Sequence, residues 1–200
     1  QRQMCIRDSS EIEGIDIMLA IDVSTSMLAE DLKPNRLEAA KDVAAEFING
    51  RPNDNIGITL FAGETFTQCP LTVDHAVLLD MIHNIKCGLI TDGTAVGMGI
   101  ANAVTRLKDS KAKSKVIILL TDGTNNKGDI SPMTAAEIAK SFGIRVYTIG
   151  VGTNGMAPYP YPVGNTVQYV SMPVEIDEKT LTEIAGTTDG NYLSLIHISE

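Results

Sequence analysis

Four short stretches of the chain are almost wholly apolar, and two of them end abruptly in polar residues. Strands that are apolar on both sides are typical of a parallel sheet covered on both faces. One stretch runs into the segment Asp22 to Ser26, and another runs into the segment Asp122 to Asn126. The predicted strands cover residues 15–21, 56–62, 115–121 and 144–151.

Helices are predicted between these strands, because apolar residues recur there at spacings of three and four. Leu37, Ala40, Ala44 and Ile48 share one face of the first helix, and Gly50 ends it. Asp74 is suited to cap a second helix, since its side chain can accept hydrogen bonds from the first turn. The first helix covers residues 36–49, and three further helices are predicted over residues 95–107, 134–142 and 177–185.

The alternation of apolar strands and helices predicts an α/β fold with three layers, in which a doubly wound, mainly parallel sheet lies between helices. In such sheets, ligands bind beyond the carboxyl ends of the strands, where the strand order reverses. Asp22 and Asp122 both follow predicted strands. We therefore expect them at the same edge of the sheet.

Residues 152–172 interrupt the alternation and include the run Pro158-Tyr159-Pro160-Tyr161-Pro162. We predict an extended excursion here, with a hairpin around Gly164 and Asn165. The excursion leaves a strand at the carboxyl edge, so Tyr159 and Tyr161 are candidate contacts for a partner. A solvated loop is the alternative.

The chain has 200 residues, a length typical of one globular domain. We assign residues 10–192 to this domain. Residues 1–9 have neither strand nor helix periodicity, and residues 193–200 alternate like a strand without continuing the pattern of the domain. We therefore expect both end segments to be non-native flanking sequence.

The composition excludes several classes of function. A net charge of −9 disfavours binding to nucleic acid or to acidic membranes. The longest apolar runs are far shorter than the roughly 18 residues that span a bilayer, so we expect this part of the protein to be soluble. Cys5, Cys69 and Cys87 lack metal-binding spacing and are expected to be free thiols, with a bridge between Cys69 and Cys87 as the alternative.

Oxygen-bearing side chains cluster after the first predicted strand, at Asp22, Ser24 and Ser26. Their alternate spacing places them on one side of the chain, where a turn can direct them to one point. Thr94 and Asp122 can add a hydroxyl and a second carboxylate. Oxygen ligands suit a hard divalent cation such as Mg²⁺. Capping of a helix is the alternative role for such residues.

These residues and their order resemble the metal-ion-dependent adhesion site (MIDAS) of von Willebrand factor type A (VWA) domains, over nearly all of residues 15–192. Four further segments are similar to bacterial aerotolerance (Bat) proteins, which are anchored in the inner membrane and associated with MoxR-type AAA ATPases. These segments are Asp22-Val-Ser-Thr-Ser-Met27, Pro34-Asn-Arg-Leu37, Phe66-Thr-Gln-Cys-Pro-Leu-Thr72 and Tyr147-Thr-Ile-Gly-Val-Gly-Thr153.

The resemblance implies that Ser24, Ser26 and Thr94 contact the metal directly, while Asp22 and Asp122 act largely through bound water. The metal would be Mg²⁺, with Mn²⁺ or Ca²⁺ as alternatives, and an Asp or Glu of a partner protein would complete its coordination. The implied function is protein–protein interaction without catalysis. Other Bat proteins or a MoxR-type ATPase are the implied partners. The membrane side that the domain faces is left open.

Three further features of the sequence bear on function. A Mg²⁺-dependent phosphotransferase or phosphatase would use Asp22 as its nucleophile, but such enzymes carry a second carboxylate where this chain has Ser24. Gly150-x-Gly152-x-x-Gly155 matches a dinucleotide-binding pattern, but the following residues cannot form the required helix, so we predict no nucleotide. The pair Glu30-Asp31 follows residues 22–26, the predicted metal loop, and could raise the cation affinity of that loop.

Overall fold

The structure, a computed structural model, describes residues 14–88, 90–164 and 166–198. Two parts of the interpretation lie outside these residues, namely the assignment of residues 1–9 as flanking sequence and the state of Cys5. The strands are β1 (Asp16–Asp22), β2 (Asn55–Phe61), β3 (Thr65–Thr72), β4 (Lys115–Thr121), β5 (Ile144–Gly150), β6 (Gly155–Val163), β7 (Thr166–Val174) and β8 (Tyr192–Ser194).

Five of the α-helices lie where the sequence predicts them, whereas the last, at residues 195–198, was not predicted. They are α1 (Arg36–Asn49), α2 (His75–His83), α3 (Val96–Leu107), α4 (Pro132–Ser141), α5 (Glu178–Thr187) and α6 (Leu195–Ile198), with a short 3-10 helix at Thr25–Leu28. Side chains of Asn35, Asp74, Ser131 and Asp177 accept hydrogen bonds from the first turns of α1, α2, α4 and α5. These caps satisfy amide groups that lack a partner within the helix.

The main sheet has six strands in the order β3-β2-β1-β4-β5-β8. All neighbours are parallel except β3, which runs antiparallel to β2. The chain builds outward from β1 through β2 to β3 and then returns to the other side of β1 with β4. The strand order therefore reverses between β1 and β4, and the predicted α/β doubly wound fold is confirmed.

The sheet separates two hydrophobic cores. Ile17, Leu19 and Ile21 of β1 point to the core that contains α1 and α2. Met18 and Ala20 point to the core that contains α3, α4 and α5. Every residue of β1 is buried, which explains why its sequence is apolar without alternation.

Three features differ from the sequence-based prediction or extend it. The edge strand β3 was not predicted. The excursion after β5 does form a hairpin, β6 paired antiparallel with β7, although Asn165 at its tip lies outside the described residues. Strand β8 continues through Ser194 and pairs with β5, and Leu195 is buried in the core beside α1. The expected domain boundary at residue 192 thus falls inside a strand.

The close approach of α3 to the loop before α4 depends on Gly97. A Cβ at this position would overlap the backbone carbonyl of Ile130. We expect Gly97→Ala to lower the free energy of unfolding by about 1–3 kcal/mol, because a backbone carbonyl cannot rotate away as a flexible side chain can. Urea denaturation followed by circular dichroism measures this change.

Gly186→Ala is the matched control, because Gly186 lies in α5 and a Cβ there would meet nothing within 4 Å. Alanine favours a helix over glycine by up to about 1 kcal/mol, so this variant should be unchanged or more stable. Equal effects of the two substitutions would contradict the proposed contact.

Candidate metal centre

Asp22 ends the central strand β1 and is completely buried. Its Oδ1 accepts a hydrogen bond from the Ser24 N–H at 2.9 Å, and its Oδ2 accepts one from the Thr121 hydroxyl at 2.6 Å. The Thr121 hydroxyl in turn accepts from the Gly123 N–H at 3.1 Å. The carboxylate is therefore fixed by the two strands between which the strand order reverses.

The chain turns after Asp22 and enters the short 3-10 helix. Ser24 precedes this helix, but its side chain makes no capping hydrogen bond. Instead, the hydroxyl oxygens of Ser24 and Ser26 lie 3.0 Å apart. Capping therefore does not explain Ser24. The hydrogen bond between the two hydroxyls holds both oxygens side by side, where they could serve as ligands of one ion.

Asp122 follows β4 and is also buried. Its Oδ1 accepts from the Thr124 N–H at 3.1 Å, and its Oδ2 accepts from Nη1 of Arg36 at 3.1 Å. Arg36 is only 1% exposed and makes a second, bidentate ion pair with Asp31, through Nε at 2.8 Å and Nη2 at 2.7 Å. Asp31 also accepts from the Thr153 N–H at 2.6 Å.

This arrangement corrects the role considered for Glu30-Asp31. Asp31 does not act as a free charge near the metal loop, because it is held by Arg36. Burial alone would raise the pKa of Asp31, but the hydrogen bonds from Arg36 and Thr153 hold that pKa below its usual value. The Oε2 atom of Glu30 lies 3.9 Å from Nζ of the exposed Lys33, so the charge of Glu30 also has a partner.

Gly152 makes room for Arg36. Its φ is +134°, and a Cβ there would lie 2.5 Å from the guanidinium carbon. The next strand, β6, starts at Gly155, and no helix follows the glycines. The glycine pattern at residues 150–155 thus runs into a strand and not into the helix that a dinucleotide-binding site requires.

Thr94 is buried in the loop before α3. Its N–H donates to Oδ1 of Asn126 at 2.9 Å, and its carbonyl accepts from the Asn126 N–H at 3.0 Å. In the same loop, Asp92 accepts from the N–H and the hydroxyl of Thr25 at 3.2 and 3.1 Å. The three loops that carry the predicted ligands are therefore tied to one another.

A cleft of about 480 Å³ opens beside this cluster. The metal-loop side contributes Ser26, Arg36 and Asp122, and the β6–β7 hairpin contributes Tyr159, Tyr161 and Met172. Both tyrosines singled out in the sequence thus line the same cleft as Ser26 and Asp122, two of the predicted metal ligands.

Comparison with known families assigns this architecture. The model of the von Willebrand factor type A domain matches residues 16–195, which is most of the chain. The chain belongs to the VWA family. Its Asp22, Ser24, Ser26, Thr94 and Asp122 occupy the edge of the sheet where the strand order reverses.

Two bacterial structures support a closer relationship. An aerotolerance-related membrane protein from Bacteroides fragilis is 34% identical with a TM-score of 0.82, covering 90% of this chain and 91% of that one. BatB from Bacteroides thetaiotaomicron is 33% identical with a TM-score of 0.83, covering 93% and 96%. The predicted relationship to Bat proteins is confirmed.

A protein from Borreliella burgdorferi is 32% identical over 184 residues, which cover 91% of this chain and 54% of that protein. The chain thus spans about half the length of this relative. Within the described residues, no helix has the length and apolar character needed to cross a membrane.

The carboxylates of this VWA domain repel each other. Burial, and then the nearby Asp122, raise the pKa of Asp22 to about 7. When Asp22, Asp31 and Asp122 are all ionised, the single positive charge of Arg36 leaves two of their three negative charges uncompensated. A divalent cation would compensate both.

The donor set also selects the type of ion. Among the described residues, no group of three His, Cys, Asp or Glu side chains comes together to hold a metal. A cation here would rely on serine and threonine hydroxyls with carboxylates, and such ligands suit hard cations. Burial raises the pKa of Cys87 to about 12, and its thiol donates to the Ser24 carbonyl, so it is unsuited to bind a soft metal. Cys69 and Cys87 are both free thiols.

Sequence reasoning gave no role to Arg36 or Thr121, which hold the two carboxylates. Arg36 did offer a signal, because it is the first residue of α1. A cation is disfavoured at the positive end of a helix unless a specific carboxylate partner offsets the helix dipole. Thr121 offered no comparable signal.

Loss of Arg36 should destabilise the domain strongly. Arg36→Ala leaves Asp31 and Asp122 buried without their ion-pair partner, and removal of one member of a buried pair costs about 3–5 kcal/mol. Chemical denaturation measures this loss. Lys33→Ala is the control from the same segment, because its ion pair is exposed and contributes at most about 1 kcal/mol. A loss below about 1 kcal/mol for Arg36→Ala would refute the argument.

The raised pKa of Asp22 predicts a pH dependence of stability in the presence of a chelator. Between pH 4 and 7 the folded protein keeps the Asp22 proton, whereas the unfolded chain, with a pKa near 3.8, loses it. The free energy of unfolding should therefore fall as the pH rises through this interval. Thermal melts measure this trend.

Asp22→Asn is the control for this trend. It cannot ionise, so it should lose this part of the pH dependence. Asp31 does not contribute to this trend, because its pKa is lowered from 3.8 and its titration therefore changes the stability only at lower pH. Identical pH profiles for wild type and Asp22→Asn would show that burial does not retain the proton.

Proposed function

We propose that this VWA domain is a metal-dependent protein interaction module. Ser24, Ser26 and Thr94 would bind Mg²⁺ directly, and Asp22 and Asp122 would act largely through water. The observation that carries the proposal is the 3.0 Å contact between the hydroxyl oxygens of Ser24 and Ser26. These hydroxyls lie beside the buried carboxylates of Asp22 and Asp122, whose negative charges are incompletely compensated. When bound, the cation would attract an anionic ligand.

The partner would supply an Asp or Glu side chain to the cation. The cleft beside the site supports this, since it leads from Ser26 to apolar and aromatic side chains of the hairpin. Tyr159 and Tyr161 would contact the residues next to that carboxylate. Their amphipathic rings suit a protein interface.

The geometry argues against the alternative phosphatase activity. A nucleophilic carboxylate must reach the phosphorus atom, but Asp22 is completely buried and each of its oxygens accepts a hydrogen bond. Ser24 also stands where such an enzyme would carry its second carboxylate. The same residues support recognition without turnover.

One relative supports a membrane setting. We place the domain in a bacterial protein anchored in the inner membrane, because the similar Bacteroides fragilis protein is described as a membrane protein. Other Bat proteins and a MoxR-type ATPase are the partners we propose. The acidic surface disfavours nucleic acid.

Metal binding and partner capture test the proposal together. Mg²⁺ at about a hundred times its Kd should stabilise the domain by about 2.7 kcal/mol and raise the Tm by several degrees. Ser26→Ala should weaken Mg²⁺ binding at least tenfold, measured by calorimetry, because it removes a direct ligand. Capture of partners from a bacterial lysate should fall by a similar factor, and chelator should abolish it.

Ser141→Ala is the matched control, because Ser141 is exposed and ends α4 just before β5 begins, at the edge of the sheet opposite the predicted ligands. It should keep both metal binding and capture. Capture that persists in chelator and in Ser26→Ala would refute the metal-dependent mechanism. A rise in Tm without any effect on capture would identify the metal as purely structural.

A further inference from the structure

The β6–β7 hairpin has two very different edges. It forms a separate two-stranded sheet, so each strand has one free edge among the described residues. Pro158 of β6 accepts a hydrogen bond through its carbonyl from the Glu30 N–H at 2.9 Å, so its backbone points away from β7. Pro160 and Pro162 share this orientation by alternation and also lack an N–H. The outer edge of β6 is therefore closed to another strand.

The outer edge of β7 is open. Val167, Tyr169 and Ser171 lie directly opposite the three prolines of β6. In an antiparallel pair, two opposite residues either both direct their N–H and C=O groups toward the other strand or both direct them away from it. Because the prolines direct theirs away from β7, Val167, Tyr169 and Ser171 direct theirs away from β6. Among the described residues, no backbone hydrogen bond from another element reaches their outward N–H and C=O groups.

The side chains of β7 leave this edge unprotected. Residues 166–172 contain no charged residue, and Val167, Tyr169, Val170 and Met172 are between 41% and 61% exposed. Free strand edges are normally blocked by charges, proline or a covering element. Here only Pro173 interrupts the edge, at its carboxyl end.

We propose that the outer edge of β7 pairs antiparallel with β7 of a second copy of this chain, with the twofold axis at Tyr169. In this register the two Tyr169 residues are opposite each other, and Val167 is opposite the partner's Ser171. All three outward-facing residues then form hydrogen-bonded pairs. The result is a continuous four-stranded sheet.

Charge and closure favour a second copy over another occupant. Residues 166–172 carry no charge, so two copies of β7 would pair without like charges opposite each other, despite the net charge of −9. The carboxylate of Glu30, outside the strand, accepts a hydrogen bond from the Tyr169 hydroxyl. The prolines of β6 stop further addition, so the assembly closes as a dimer. The inference does not depend on metal binding, because the monomer and the dimer can both be measured in the presence of a chelator.

The oligomeric state tests the inference. We expect sedimentation and light scattering to show a monomer that converts to a dimer as the concentration rises, equally with and without chelator. Ser171→Pro should weaken the dimer at least tenfold, because it removes one outward N–H, and Pro158 opposite shows that this edge geometry accepts proline. Ser171→Ala keeps the N–H and should dimerise like wild type.

A second variant guards against misfolding of Ser171→Pro. Tyr169→Glu places two carboxylates opposite each other at the axis, and the nearby Glu30 cannot neutralise them, so this variant should also give a monomer. A wild type that stays monomeric up to millimolar concentration would overturn the inference. So would a dimer that survives both substitutions, or growth into assemblies larger than a dimer.

Cysteine cross-linking tests the register. At the axis, the two residues at position 169 would have Cα atoms about 5.5 Å apart, within the range of a disulfide. Tyr169→Cys should therefore form a disulfide-linked dimer on mild oxidation. Val167→Cys is the control, since its two copies would lie about 13 Å apart. Equal cross-linking of the two variants would contradict the twofold register.

Discussion

The architecture of the site depends on two carboxylates that are buried close together. Asp22 ends β1 and Asp122 follows β4, where the strand order reverses, and both are buried. Burial and mutual repulsion both disfavour their charged forms, so the fold must supply compensation. The surrounding contacts meet this requirement in part, with Thr121 and the Ser24 N–H on Asp22 and with Thr124 and Arg36 on Asp122. The incomplete compensation is what suits the site to a divalent cation.

Arg36 connects this requirement to the rest of the fold. It joins Asp122 to Asp31, and Asp31 also binds the backbone of Thr153 beyond β5. One side chain therefore fixes the loop before α1, the end of β4 and the start of the excursion that leads to the hairpin. Gly152 must lack a side chain for the same reason. The position of the cleft thus follows from the charge balance of the metal centre.

The sequence predicts the elements whose signals are local. Helix α1 has the predicted bounds, and β1, β2, β4 and β5 agree within one residue, because apolar periodicity and capping residues are properties of neighbouring positions. The edge strand β3 could not be predicted in this way, since its many polar residues and Pro70 give a weak strand pattern and its position depends on pairing with β2. Asp22 and Asp122 could be placed together from topology alone. The bond between Arg36 and Asp122 could not, because 86 positions separate them and no local pattern links them.

The hairpin separates two kinds of contact by geometry. Opposite residues of its two strands share a face, so Tyr159, Tyr161 and Met172 line the cleft from one face of the ribbon. Strand pairing, in contrast, extends a sheet within its own plane and leaves its faces free. A dimer formed through the edge of β7 would therefore keep both clefts open and related by a twofold axis. Two linked sites bind a partner that is itself clustered, such as one held in a membrane, with an avidity above that of either site. The uncharged edge of β7 and the acidic metal centre would then act together, although neither needs the other to form.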